Sequence, residues 1–308
     1  MANLIIDMSK LPPPEVVRQV DYEEILAEMK ADFLAAYPAA SEALTYESDP
    51  LVKWLERQAY DKMLMRQQAN EDALAVMLAY AKGSDLDQFG AMYQVERLMI
   101  APADNTTIPP TPAVMEGDDD FRERIQMAPS SFSVAGPEDA YVFHTRSADG
   151  RVMNCTATSP QPGEVLITVL SREGDGSSSA ELLAIVDKAL NKEEVRPLTD
   201  LVTVQSANII PYEIKATIYV AQGPDTGLVM DAVQKSIEAY TTKQRKIGVL
   251  VPRSGLDAAL HLDGVERVEI IEPAGNVVVG QYDAAYCTSI TLEKVEQSSS
   301  DGGGSGNP

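Results

Sequence analysis

Histidine, cysteine and tryptophan are scarce in this chain, and so is positive charge. Only His144 and His261 occur, far apart in sequence, so an HExxH metal site and most histidine-based triads have no residues to build them. The two cysteines, Cys155 and Cys287, sit in strand-like runs and read as buried reduced thiols, with one bridge between them as the other possibility. No apolar run approaches the roughly 18 residues of a membrane span. The start, "MANLIIDMSKLPPPE", has a short apolar patch broken by Asp7 and no basic region with a cleavage signal, which predicts a protein that stays in the cytoplasm of its maker. With 25 Lys and Arg against 47 Asp and Glu the formal charge is −22. Such a chain repels phosphate backbones, and its largest basic cluster, "KQRK" at 243–246, is too small for a nucleic-acid footprint. Neither nucleic acid nor membrane is an expected partner; an acidic surface favours basic protein partners and keeps free subunits apart.

Catalytic signatures are missing as well. No G-x-S-x-G, G-x-x-x-x-G-K-[ST] or G-x-G-x-x-G can be read. A calcium loop alternates its oxygen ligands and ends in glutamate, whereas "GDDD" at 117–120 is contiguous and "EGDGSSS" at 173–179 lacks the distal carboxylate. No metal, cofactor or catalytic residue is therefore expected, and the chain reads as a non-enzyme. Met63, Met65 and Met77 are read as packing side chains.

Periodicity is what the sequence does have. Tyr22, Ile25, Leu26, Met29, Phe33, Leu34 and Tyr37 recur at helical spacing up to Pro38. "SDP" at 48–50 offers Asp49 as N-cap and Pro50 as first helical residue, and nothing breaks the run before Gly83. This predicts an amphipathic helix of about 50 Å with Leu51, Trp54, Leu55, Met63, Leu74, Met77 and Leu78 on its apolar side. The helix suits either an ordinary core or a multi-chain bundle. "SDLDQFGAMYQVER" at 84–97 reads as a short helix ending at Gly90, and the Pro/Thr-rich 98–116 as a linker or exposed loop. "GDDDFRERI" reads as a helix start whose aspartates complement the dipole, with Arg122 and Arg124 as solvated charges; "AGPEDAYVFHTRSA" reads the same way.

From about residue 151 the period becomes alternating. "RVMNCTAT", "EVLITVL" and "LTDLVTVQSA" read as strands with the helix "SAELLAIVDKALNK" between the last two. "YEIKATIYV", "GVERVEIIEP" and "NVVV" read as further strands accompanied by two helices, in a layout that hints at duplication. The class is α+β, a long-helix N-terminal domain followed by two small α/β domains with mixed sheets. The expected division is 1–97 helical, 98–150 Pro-rich linker and short helices, 151–208 first α/β domain, 209–296 second, and 297–308 flexible tail.

Six stretches in this order, "LDQFGAMYQVER", "GDDDFRERI", "AGPEDAYVFHTRSA", "SPQPGEVLITVLS", "EVRPLTDLVTVQSA" and "IGVLVPRSGLDAALHLDGVERVEIIEP", resemble the baseplate assembly protein J family of contractile-tailed phages and phage-tail-like bacteriocins. The likeness runs from about residue 10 to about residue 293. It implies a virion structural protein of the tail baseplate, assembled in the host cytoplasm, that builds the wedges of a contractile injection system around the central hub. It also implies paired copies in each wedge joined through N-terminal helices, wedges linked into a ring, contacts with other wedge proteins, an indirect effect on the sheath and a rearrangement that triggers contraction. Interface candidates are Trp54, Leu55, Met63, Leu74, Met77, Leu78, Arg196 and Asp200; for the last two, local pairing beside Pro197 is the simpler reading. The alternative function is a tail-associated acidic cell-wall hydrolase with paired carboxylates.

Overall fold

In the computed structural model of the chain, whose described residues are 6, 8, 11–12, 14–133, 136–192, 195–197, 199–221 and 226–297, helices begin where the sequence is punctuated. α1 (Tyr22–Ala36) starts because the Asp21 carboxylate accepts the Glu24 amide, and it stops ahead of Pro38. α2 (Pro50–Ala75) starts at Asp49, whose carboxylate accepts the Leu51 amide at 2.8 Å. Leu55 and Ala59 of α2 close over Ile25 and Leu26 of α1. At the edge of this seam Glu28 receives Arg66 at 3.4 Å and Lys62 at 3.8 Å.

α2 is shorter than its unbroken sequence predicts. It ends at Ala75 and the chain turns through 76–82, because the Arg122 guanidinium takes the carbonyls of Leu78 and Ala81 at 2.8 and 2.7 Å. A tertiary donor thus replaces the amides that would have continued the helix. Gly83 is not a stop but the first residue of α3 (Gly83–Met92), and Gly90 lies inside α3 rather than ending it. An added Cβ at Gly90 would stand 2.5 Å from the Phe121 ring and from the Val95 carbonyl, so close packing, not helix termination, requires glycine there. Phe121 belongs to α4 (Asp118–Met127).

The described chain divides into two compact units, Met1–Arg97 with Gly117–Gln126, and Leu98–Glu116 with Met127–Pro308. In the second, the supposed loop 98–116 is a hairpin: β1 (Met99–Ala101) pairs antiparallel with β2 (Val114–Met115), and Asp104 bridges Thr111. The Asp104 carboxylate accepts the amide and hydroxyl of Thr106 at 2.8 and 2.6 Å, which turns the Pro/Thr-rich stretch back on itself.

α5 (Glu138–Ala148) and α6 (Ala180–Leu190) cover one face of a sheet ordered β3 (Val152–Thr158), β4 (Glu164–Ser171), β5 (Leu201–Ser206). β3 and β4 are antiparallel and β4 and β5 parallel across α6. Tyr141, Leu182, Val186 and Leu190 bury Ile167, Val169 and Val202 beneath them. β6 (Asn208–Ala221) is the middle of a second sheet, between antiparallel β7 (Val265–Glu272) and parallel β8 (Asp283–Gln297). Ile214, Ala216, Ile218 and Val220 point from β6 into a core roofed by Val233 and Ile237 of α7 (Thr226–Gln244) and Leu256 and Leu260 of α8 (Arg253–Leu260). The two sheets share a middle strand with one parallel and one antiparallel neighbour, but the connections differ, so the hinted duplication does not extend to topology.

The α+β class predicted from sequence holds. Two strand assignments do not: "NVVV" makes a single bridge, Val251 to Val277, and the long edge strand β8 was anticipated only at Cys287. Edge strands with one open face carry polar residues, and "TSITLEKVEQ" lacks the apolar density by which a strand is recognised. Cys155 and Cys287 are both free thiols. Gly90→Ala is expected to lower stability by about 1–3 kcal/mol through overpacking, read by urea unfolding of Trp54 fluorescence, the single tryptophan of the chain.

Candidate interaction surfaces

α2 has two apolar sides. Val52, Leu55 and Ala59 are buried, whereas Trp54, Tyr60, Leu64 and Met65, which a 3.6-residue turn places on the other side, are exposed, Trp54 by 55%. Arg57 lies over the Tyr60 ring at 5.7 Å and pairs with Asp61 at 2.8 Å, so the exposed stripe is interleaved with its own ion pair. Of the residues singled out in sequence, Leu55 is buried in the chain's own core and Met63 is partly buried against the same cluster. Trp54 is open. Leu74 is half-buried in the last turn of α2, and Met77 and Leu78 are half-buried in the turn beyond it. Met65 was read as a packing side chain, but Tyr60 and Leu64 were missed because the apolar side drawn from sequence joined Trp54 to Leu55, neighbours that a helix points roughly 100° apart.

Arg122 and Arg124, expected as solvated charges, are not. Arg124 is 2% exposed and donates to the Glu96 carbonyl. Phe121 lies beneath two guanidinium groups, Arg97 at 4.7 Å and Arg124 at 5.6 Å. Arg122 joins its two turn carbonyls to Asp119 at 2.7 Å. Asp118 does more than complement its own helix. Lys82, at the N-cap of α3, offers no side-chain cap, and Asp118 supplies one by accepting the Gly83 amide at 3.2 Å while pairing with Arg97 at 2.8 Å. Burial by itself would raise the Asp118 carboxyl, but the Gly83 amide and the Arg97 guanidinium outweigh it and hold the group below the usual carboxylate range.

Arg196 and Asp200 do not pair with each other. Arg196 donates to the Asn191 side chain at 3.0 Å, and Asp200 accepts the Tyr141 hydroxyl at 2.8 Å. Burial and that bond push the Tyr141 phenol up. Gly136 lies against the same corner, where an added Cβ would be 2.7 Å from Pro197 and 3.0 Å from the Asp200 carboxylate. Pro197 and Asp200 therefore pin the start of β5 to the α5 corner. Burial lowers the His144 imidazole, helped by Lys192, and pushes the Cys155 thiol up to about 12, so that thiol is not poised as a nucleophile at neutral pH. Among the described residues no group of three or more His, Cys, Asp or Glu is placed to hold a metal ion. A shallow groove beside α8 contains Arg253, Asp257 and Glu269, but the Arg253 guanidinium is engaged by the Ile270 and Ala274 carbonyls at 2.6 and 2.7 Å.

Helices stapled by arginines, two mixed sheets carried on adjoining strands, and an open apolar stripe define an α+β protein of two compact units with a broad apolar surface on α2. Comparison with known proteins gives its family. Residues 47–104 match the Baseplate J-like N-terminal domain, 133–206 the Baseplate J-like central domain and 212–293 the Baseplate J-like protein C-terminal domain. Baseplate protein J of Escherichia phage P2 is 51% identical over 289 residues, which is 92% of this chain and 96% of that relative. The chain belongs to the baseplate J-like family. It is a phage-tail baseplate protein and a component of the virion. No helix among the described residues is long and apolar enough to cross a membrane.

Two outcomes test the arginine staples. Arg124→Ala, which opens a cavity and strips the Glu96 carbonyl of its donor, is expected to lose on the order of 3 kcal/mol in urea unfolding of Trp54 fluorescence, more than Arg122→Ala. The second concerns acid. The folded Asp118 carboxyl lies below its unfolded value, so its stabilisation is complete above about pH 4 and is lost as pH falls through the folded value. The thermal-midpoint gap between the wild type and Arg97→Gln is therefore expected to be widest at pH 5–7 and to shrink toward pH 2.

Proposed function

We propose that the chain is a non-enzymatic structural subunit of the baseplate wedge of a contractile phage tail or tail-like particle. On this reading it links wedges into a ring around the hub, and its rearrangement triggers sheath contraction. Two copies pair within each wedge through the N-terminal helices, and the other contacts are to wedge proteins and the hub, with the sheath affected indirectly. Residues 1–97 serve as the bundle-forming domain, 98–150 as the connecting segment, and 151–208 and 209–296 as the two α/β domains.

The observation that carries the pairing is the second apolar side of α2. A helix whose core side is already occupied by α1 gains nothing within the chain from exposing Trp54, Tyr60, Leu64 and Met65; a partner helix would bury them. Among the sequence candidates, Trp54 and, at the helix end, Leu74, Met77 and Leu78 extend the same proposal. Arg196 and Asp200 serve it through the α5 corner that they organise. The resemblance to Baseplate protein J of phage P2 supports the setting in a baseplate.

Light scattering on the purified chain, alone and co-expressed with the adjacent tail genes of its source, tests the reading. A dimer or a defined hetero-complex is expected. Trp54→Lys combined with Met65→Lys, or Leu74→Lys combined with Leu78→Lys, is expected to leave a monomer with unchanged far-UV circular dichroism. A wild-type monomer that ignores those partners, or full assembly by both double variants, would sink the pairing. Incubation with purified murein is expected to release neither reducing sugar nor peptide.

A further inference from the structure

The two sheets of the second unit meet without a linker. β5 ends at Ser206 and β6 begins at Asn208, so Ala207, itself 5% exposed, is all that lies between them. The Ala207 amide donates to Val169 of the first sheet at 2.8 Å, and the Asn208 amide donates to the Tyr282 carbonyl beside the second at 3.1 Å. Leu170, Ile247 and Ala284 form a small apolar plug around the joint, with Met153 and Ile209 against it. The Ile247 amide donates across it to the Asn154 side chain at 3.1 Å.

The remaining strap is Arg245, one residue past α7. Its Nη2 donates to the Gly174 carbonyl at 2.9 Å, in the exposed loop between β4 and α6. Its guanidinium lies over the Tyr286 ring of β8 at 4.8 Å. The same loop presses Gly176 onto the strap, where an added Cβ would be 3.2 Å from Nη2 and 2.7 Å from Leu170. Arg245 Nε, however, is buried without a hydrogen-bond partner, and burial draws the guanidinium pKa down. A guanidinium used only for packing would turn Nε toward water or an acid. Here it forgoes that donor to keep the carbonyl bond and the ring contact together.

We propose that Ala207 is a hinge and Arg245 its latch: the strap from Gly174 to Tyr286 fixes the angle between the two sheets, and its release gives the second sheet another orientation. The apolar plug is small, so the angle is held by the strap together with the bond from Ile247 to Asn154 across the joint. The unpartnered Nε keeps the latched arrangement from being over-stabilised, which is what a releasable latch requires. This inference concerns the chain by itself and does not depend on how copies assemble.

Spin labels at Gln161→Cys and Ala274→Cys, exposed positions on the two sheet-bearing halves, in a full-length chain carrying Cys287→Ser, give the inter-sheet distance by double electron–electron resonance. One narrow distribution is expected with Arg245 intact. Arg245→Gln and Tyr286→Leu, each removing one anchor of the strap, are expected to add a second distance holding more than about 10% of the population. Arg245→Lys, which can reach the carbonyl but cannot lay a plane on the ring, is expected to fall between. An unchanged narrow distribution in both Arg245→Gln and Tyr286→Leu overturns the proposal. So does loss of the native circular dichroism in both, since the pair would then be core and not latch.

Discussion

The structure depends on guanidinium groups bonded to backbone carbonyls, most of them at the places where the chain turns. Arg122 holds Leu78 and Ala81, Arg124 holds Glu96, Arg97 reaches Gly83, Arg172 holds Gly150, Arg245 holds Gly174, and Arg253 holds Ile270 and Ala274. Turn carbonyls have no ladder to join and must be satisfied some other way. Arginine can do this for two at once, because its five donors form a rigid fork, and its plane can also lie on an aromatic ring. In a chain with 25 basic and 47 acidic residues this use has an electrostatic consequence. These six guanidinium groups are directed at the backbone, so they do less to offset the acids of the outer surface than six exposed cations would. The lysines stay outside in exposed pairs such as Lys53 with Glu56 and Lys215 with Glu213, contacts worth little each in stability.

Features encoded within one turn of chain were legible in the sequence. Asp49 with Pro50 starts α2 as expected, Pro38 follows the end of α1, and Pro137 precedes α5 with Glu138 and Asp139 in its first turn. Each is a contest between neighbouring amides and side chains that no distant residue enters. The alternation of β6 was equally readable, because one of its faces is fully buried and the other carries Glu213, Lys215, Thr217 and Tyr219. Baseplate family membership was legible too, from the order of six stretches more than from any one of them.

What failed was settled by residues far away in the chain. The end of α2 is set by Arg122, more than forty positions on, and the glycine at position 90 by the ring of Phe121. "RER" looks like solvated charge until Phe121 and the Glu96 carbonyl are placed around it. The arginine at 124 could have been suspected only from the i, i+3 offset between Phe121 and Arg124, which puts both on one side of a short helix. The hairpin at 98–116 was hidden because its strands are two and three residues long, below the length at which alternation is a signal.

The outward faces differ in what they can tolerate in a neighbour. On the second sheet, Lys215 lies between Glu213 and Glu272, and Arg267 lies on the Tyr219 ring at 3.9 Å with Glu269 beside it. Every cation there is already engaged and acids remain in excess, so a second copy of the same face would bring carboxylate against carboxylate. The edge of β8 carries Glu293, Lys294 and Glu296, a charged border that discourages another strand from adding to it. The α2 stripe is different. Its charges are paired, Arg57 with Asp61 and Lys53 with Glu56, and among them stand an indole, a phenol, a leucine and a methionine. In a chain of charge −22, an apolar stripe whose ions are paired repels an approaching copy less than a charged sheet face does, whereas an excess of acids on the sheet attracts a basic surface.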